Sequence, residues 1–465
     1  MIAPARVAAY EILSAVSAGR ADLPAAIAHA RSTLIDDRDR ALAAEIATGV
    51  ERWRAALDHL IAHFSRRPID RLDAEVVAIL RLSVYQLLHL TRVPASAIVD
   101  DAVNLTGKAG KRSASGLVNA VLRALSRTRH ALPLPPRPPV RSSDLRDVNT
   151  RATDRGAALE YLSVTLSHPR WLVERWYDRL GFDATERWLQ FNNAPAPLTL
   201  RVNRLKTTAP ELAARLAQEE VMVKPGTFAP DALIVEHGHP LRGSLAEGGL
   251  FVVQDEASQL VALLAGARPG ARVLDTCASP GGKTTALAAA MNGRGLLVAC
   301  DVRGRRMDLL RRTIALTGAR AARLVQADVL APLPFSPTFD CVLVDAPCSG
   351  LGILRRDPDI RWRRREEDLA PLAAAQHVML RHAADVVAPG GRLIYATCSS
   401  EPEENEAVAS AFLAASPAFA LVDLHRDDAA LPAAVVDRNG HLRTCPHVHG
   451  LEAFFGAVFT RSETT

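Results

Sequence analysis

Two short peptides in this chain each offer a thiol where it could react. Asp345-Ala346-Pro347-Cys348-Ser349-Gly350 and Ala396-Thr397-Cys398-Ser399 place a cysteine just past an apolar, strand-like run, at 339–345 and 391–396. Upstream stands a glycine turn, Asp275-Thr276-Cys277-Ala278-Ser279-Pro280-Gly281-Gly282-Lys283. Two thiols and a carboxylate at the open edge of a nucleotide-binding sheet suit chemistry on a pyrimidine ring. Cytosine C5 is a poor nucleophile. A thiolate adding to C6 makes the ring an enamine, whose C5 can attack a sulfonium methyl; one hard step becomes easier ones. The cysteine then needs a pKa below its free value of about 8.5. A hydrogen-bonding group is needed at the ring's N3 edge, where charge develops, and a base must remove the C5 proton. Asp345, three residues before Cys348, is placed for the N3 edge. A free cysteine is more often a small buried hydrophobe, and Cys300 and Cys341, inside strand-like runs, are assigned to that role.

Four strand-like runs end in a carboxylate: Asp275, Asp301, Asp328 and Asp345. Ligands of open α/β sheets bind beyond the carboxyl ends of the strands. There an acidic residue can accept from ribose hydroxyls or an adenine amino group. Pro280-Gly281-Gly282 lets backbone approach a ligand before a helix N-terminus. One such Asp alone is commonly a helix cap, but four in consecutive units around a glycine turn point to a nucleotide-like cofactor. Gly282-Lys283-Thr284 resembles the tail of a phosphate-binding loop, but that motif needs a glycine where Cys277 stands. No GxGxxG occurs either, which opposes a dinucleotide oxidoreductase.

The elements that must position these residues follow from periodicity. Residues 1–130 carry apolar positions at helical spacing (Val76, Val77, Leu80, Leu82, Tyr85, Leu87, Leu88) and read as an all-helical domain. Prolines at 133, 135, 136, 138 and 139 exclude helix interior and central strand, so 131–154 reads as a linker. Residues 155–250 mix helix and short strands, a small α+β subdomain. From 251 to 465 strands and helices alternate, which implies a parallel, doubly wound sheet.

Composition narrows the partners. The 465 residues hold no apolar run near the ~20 needed to span a bilayer. The first residues carry Arg6 and Glu11, unlike a signal peptide. Six cysteines are too few for a disulfide framework, and a reducing cytoplasm is expected. Net charge is +5, and residues 1–130 hold 18 Lys and Arg against 13 Asp and Glu, which accounts for all of it. That asymmetry favours a polyanion partner for the helical domain. Arg355-Arg356 and Arg361-Trp362-Arg363-Arg364-Arg365 join basic groups to an aromatic, a pattern able to clamp phosphate and stack a base; the plainer reading is a solvated helix start. His441, Cys445, His447 and His449 match no zinc spacing, and no metal is expected.

The peptides DTCASPGGKT, DAPCSG with LRRDPDIRW behind it, and YATCS resemble the Sun/Fmu (RsmB-type) family of bacterial RNA cytosine-C5 methyltransferases. GVERWRAALD, LRLSVYQLL and GLVNAVLRAL are similar to the helical, NusB-like domain at the front of this family. SHPRWLVERW, RVNRLK and VQDEAS resemble its middle region. The resemblance implies a Rossmann-like seven-stranded α/β methyltransferase sheet behind an α+β subdomain. It implies S-adenosylmethionine held by Cys277, Ala278, Ser279, Pro280, Gly281, Gly282, Lys283, Asp301, Asp328 and Asp345. It makes Cys398 the nucleophile and Cys348 the residue that assists product release, with small-subunit (16S) ribosomal RNA as substrate and a monomer as the expected state. A non-catalytic RNA-binding assembly factor is the alternative, but decay of the site should have damaged Lys283, Asp345, Cys348 or Cys398, and all four are present. One departure from the family pattern is Glu452-Ala453, where Asp-Gly is usual before two aromatics.

Overall fold

A computed structural model describes residues 2–139, 155–426 and 431–463; part of the 131–154 linker lies outside them. The chain forms two compact units. The first comprises Met1–Ala194 together with Leu354–Glu366, and the second Pro195–Ile353 and Glu367–Thr465.

The first unit is helical. Helices α1 (Pro4–Ser17), α2 (Leu23–Thr33), α3 (Asp37–Ser65), α4 (Ala74–His89), α5 (Ala95–Lys108) and α6 (Ser115–Thr128) enclose one apolar core. Every residue of α4 from Val76 to Gln86 is buried. A helix apolar nearly all round must sit at the centre of its bundle, and that explains the run of large apolar residues read from the sequence. Leu132 and Leu134 pack against the same core, and His59 Nε2 lies 2.9 Å from the Pro133 carbonyl. Two further helices, α7 (Arg170–Leu180) and α8 (Phe182–Asn193), group with this unit.

The second unit carries two sheets. The smaller is antiparallel: β1 (Thr199–Val202), β2 (Met222–Pro225), β3 (Ala232–His237) and β4 (Phe251–Val253), in the order β2-β3-β1-β4. Helix α9 (Ala209–Gln218) accompanies it, opened by a capping box between Thr208 and Glu211. Helix α10 (Glu256–Leu263) leads to the larger sheet. Its strands are β5 (Arg272–Asp275), β6 (Leu296–Asp301), β7 (Ala322–Gln326), β8 (Phe339–Asp345), β9 (Val387–Thr397), β10 (Phe419–Leu421), β11 (Leu442–Arg443) and β12 (Phe455–Arg461). The order is β10-β12-β9-β8-β5-β6-β7, with β11 beside β12. Helices α11 (Gly282–Ala290), α12 (Gly304–Thr317), α13 (Leu369–Ala384) and α14 (Glu406–Ala415) connect the strands.

Strands β5 to β9 pair in parallel as alternation implies, but β12 runs antiparallel to β9 and β10 antiparallel to β12. The sheet is therefore mixed at one edge. A parallel return needs a crossover of a dozen or more residues, usually helical. Between β10 and β12 the described chain carries the short strand β11 and two short helical turns, Ala433–Val435 and Pro446–His449, with no long crossover helix, and β12 enters antiparallel.

Candidate active site

The site is built where β8 and β9 end. Their parallel register sets Asp345 opposite Ala396. Cys348 lies three residues beyond the first and Cys398 two beyond the second, so both thiols leave the sheet at the same edge. Their Sγ atoms are 3.3 Å apart and hydrogen-bonded. The loops are tied again behind the sulfurs. Gly352 N–H donates to the Cys398 carbonyl at 2.9 Å, and the Ser349 and Ser399 hydroxyls meet at 3.1 Å. A side chain at 352 would collide with the Ala453 and Cys398 carbonyls, so the close approach requires glycine. Ala453 itself is buried, is not among the residues with positive φ, and donates to the Gly352 carbonyl at 2.9 Å. Alanine therefore fits the position where the family pattern has glycine.

The hydrogen bond to Cys398, with burial behind it, raises the Cys348 pKa well above the ordinary thiol value. Burial pushes the Cys277 thiol far up as well, and the Cys300 and Cys341 thiols up to about 12. These three are poor nucleophiles, and Cys300 and Cys341 lie wholly inside β6 and β8.

Lys283, in the first turn of α11, reaches Asp345 Oδ2 at 2.6 Å and lies 5.7 Å from the centre of the Phe454 ring. Burial works against its charge, yet Asp345, and beyond it Cys398 and Asp275, carry its pKa above the ordinary lysine value. The glycine turn before α11 has Gly281 at φ +107°, a conformation that favours glycine. The first amides of α11 have no preceding turn to bond with and are free for a ligand.

The carboxylates of the turn differ. Asp275 is fully buried and accepts from the Thr284 hydroxyl at 2.7 Å; burial raises its pKa to about 7. Asp301 closes β6, accepts from the Ser279 amide at 3.2 Å and pairs with Arg306 at 3.3 Å. Asp328 sits two residues past the end of β7, is exposed, and accepts from the Leu330 amide. The acceptor set Asp301, Asp328 and Asp345 around open helix amides has the chemistry that ribose hydroxyls, an amino group and an amino-acid moiety call for. The residues present fit S-adenosylmethionine.

Several contributors carry no local sequence signal. Arg201 of β1 is buried and donates to the Gly282 carbonyl, to Gln254 Oε1 at 2.6 Å and to Thr285 Oγ1 at 2.6 Å. Burial lowers its pKa to about 10. It braces the glycine turn from behind. Glu404 and Gln376 hold the cysteine loops, as detailed below.

The basic run behind Cys348 departs from the expected RNA clamp. Arg361 is fully buried in the helical unit and donates to the carbonyls of Arg52, Ser167, Asn192 and Leu354 and to Asn193 Oδ1. Trp362 gives its indole N–H to the Glu51 carbonyl at 2.6 Å, and Arg54 lies against its ring. Both are packing residues, because aromatic and guanidinium groups also satisfy buried carbonyls. The His441–His449 segment carries β11 and the short helix Pro446–His449, and His449 Nδ1 accepts from the Cys445 amide. Among the described residues no cluster of three metal-type ligands occurs, and no helix is long and apolar enough to cross a membrane.

Three family models match the chain: the NusB family at 3–127, the RsmF/B-like ferredoxin-like domain at 168–242, and the 16S rRNA methyltransferase RsmB/F at 262–460. The probable ribosomal RNA small subunit methyltransferase B of Bacillus subtilis is 32% identical over 91% of each chain. The chain belongs to the ribosomal RNA small subunit methyltransferase B family. The Pseudomonas putida member is 35% identical over 90% of this chain and 91% of its own. Among solved structures, PH0851 matches with a TM-score of 0.78 at 26% identity, covering 99% of both chains. A methyltransferase homolog protein from Pyrococcus horikoshii matches with a TM-score of 0.57 at 26% identity, over 65% of this chain and 99% of its own. The cofactor of the family is S-adenosylmethionine, and its helical NusB-like front and mixed Rossmann-like sheet are the two architectures found here.

Proposed function

We propose that this protein methylates C5 of a cytosine in 16S ribosomal RNA, in the cytoplasm, through a covalent adduct between Cys398 and C6 of the base. The observation that carries the proposal is the pair of thiols 3.3 Å apart at the ends of neighbouring parallel strands, beside Asp345 and Lys283. An enzyme that only bound a base would need neither sulfur.

S-Adenosylmethionine, held by Cys277 to Lys283 with Asp301, Asp328 and Asp345, supplies an electrophilic methyl group when bound. Cys398 adds to C6 as the thiolate. Asp345, fixed by Lys283, faces the N3 edge, where a hydrogen bond stabilises the developing charge. Cys348 holds its proton against the neighbouring sulfur during attack. Once C5 carries the methyl group, a base takes the C5 proton, the freed electron pair restores the C5–C6 double bond and Cys398 departs from C6 as the thiolate; Cys348 is the group beside that bond and assists the elimination. Residues 1–130 are assigned RNA affinity, residues 155–250 the connecting subdomain, and 251–465 the chemistry. The molecule works as a monomer in this reading.

The two cysteines should fail differently. Cys398→Ala should lose activity and form no covalent RNA complex. Cys348→Ala should attack and methylate, then stall with protein joined to RNA. A denaturing gel with RNA and S-adenosylmethionine reads both; the reverse pattern exchanges the roles, and wild-type turnover in both mutants removes the covalent mechanism.

A further inference from the structure

Six residues after Cys398 lies a carboxylate that the catalytic scheme does not use. Glu404 is fully buried. Its Oε1 accepts from the Ser349 amide at 2.8 Å and from Gln376 Nε2 at 2.9 Å. Its Oε2 accepts from the Ser399 hydroxyl at 2.5 Å. Its backbone carbonyl accepts from the Tyr395 hydroxyl at 2.5 Å, and that hydroxyl also meets Gln376 Oε1 at 3.0 Å. Gln376 Nε2 in turn reaches the Pro347 carbonyl at 3.0 Å. Among the described residues no lysine or arginine forms an ion pair with Glu404.

The pattern is specific. Ser349 follows Cys348 and Ser399 follows Cys398, so one carboxylate holds the neighbour of each thiol. A buried carboxylate without a cation is costly. Charge-assisted hydrogen bonds to one backbone amide and two side chains offset that cost. A helix cap would use only its own turn, whereas this group reaches back 55 residues to the other cysteine loop.

We infer that Glu404 is a positioning residue that sets the distance between the Cys348 and Cys398 sulfurs and thereby how readily the two react together. The inference rests on the two-cysteine reading above, but the geometry it predicts can be measured without RNA. Misplacing reacting atoms by about 1 Å can cost about a hundredfold in rate, so three hydrogen bonds on one buried group suffice for a kinetic role.

Diamide tests the spacing directly. It accepts two electrons and two protons as two S–H bonds break and one S–S bond forms. Mass spectrometry then follows the Cys348–Cys398 cross-link in the full-length protein. Glu404→Ala should slow this cross-link by about tenfold or more, with S-adenosylmethionine affinity retained. Glu404→Gln should recover most of the rate. Its amide oxygen still accepts from Ser349 and Gln376, and its NH2 can donate to Ser399 once that hydroxyl turns toward Ser349. Equal cross-linking rates in wild type and Glu404→Ala overturn the inference. If Glu404→Ala does not fold, Ser399→Ala, which removes the Oε2 tether together with that hydroxyl's contacts to Ser349 and the Glu401 amide, undergoes the same comparison with the same criterion. Adduct formation in a Cys348→Ala background is followed in parallel. Absence of any adduct there overturns the covalent reading alone, while a Glu404-dependent adduct rate supports both.

Discussion

Lys283 Nζ lies 2.6 Å from Asp345 Oδ2, so one ion pair joins the helix after the glycine turn to the strand that leads into Cys348. Glycine turn and cysteine loop are therefore joined by a direct ion pair. Replacing Lys283 by Met should leave Asp345 without its cation. A loss of about 1–3 kcal/mol in denaturant unfolding is expected, the cost of leaving a partly buried group unsatisfied, with methyl transfer reduced further. The pH sign follows from the raised lysine pKa. Its contribution is fully present below the unfolded value of about 10.4 and is lost as pH rises through the higher folded value. The mutant should lack that alkaline decline; an unchanged one would show that the pair adds nothing.

Asp275 offers the opposite test. Its folded pKa is raised to about 7, so between about pH 4 and 7 the folded protein binds the extra proton, and stability falls as pH rises through that window. Asn at 275 can still accept from Thr284 and never ionises. Asp275→Asn should flatten this decline and stabilise the protein at pH 8, by at most about 4 kcal/mol at 1.36 per pKa unit. Urea midpoints at pH 5 and pH 8 for both proteins decide it.

Asp301 accepts from the Ser279 amide and pairs with Arg306 at the edge of the glycine turn. Asp301→Ala should weaken S-adenosylmethionine binding by roughly ten- to a hundredfold, the worth of about 1.5–3 kcal/mol for a hydrogen bond to a charged group. Calorimetric titration measures it, and full affinity in the mutant would remove Asp301 from the cofactor site.

Arg361 satisfies five acceptors with no carboxylate among them. Lysine lacks the planar fork and cannot reproduce that set. At roughly 1–3 kcal/mol for each buried acceptor left unpaired, Arg361→Lys should cost on the order of 3 kcal/mol or more. Thermal unfolding of the full chain checks this.

Deleting residues 1–130 tests the RNA role of the helical domain, and the contacts of Arg361 and Trp362 add a second expectation. The deletion removes Arg52, Glu51 and Arg54 from around them. Salt-dependent RNA affinity should fall, and limited proteolysis should open the chain within 354–366. A resistant segment would mean that α7 and α8 alone hold it.

The placement of the candidate site was legible because it is local. The glycine turn and both cysteine peptides place their residues within a few positions of a strand end, and strand register does the rest. The apolar residues of α4 showed helical spacing for the same reason, though not that the helix is buried all round from Val76 to Gln86. What escaped was long-range. Trp362 meets Glu51 across 311 positions of sequence, and no spacing rule spans that distance. Glu404 stands in an acidic run with Glu401, Glu403 and Glu406, which reads as ordinary negative charge at the start of a helix. The antiparallel edge of the sheet was hidden because β10 and β12 look alike in pattern whichever way they run.

Because Leu354–Glu366 completes the helical unit, residues up to Ala194 are closed only after a much later stretch of chain has been made. Arg52, Ser167 and Asn193 wait for Arg361 until roughly 170 further residues have been made after Ala194, on the order of 10–30 s at 5–20 residues per second. During synthesis the helical bundle carries an open seam, which is sealed only after the first cysteine peptide has already been translated.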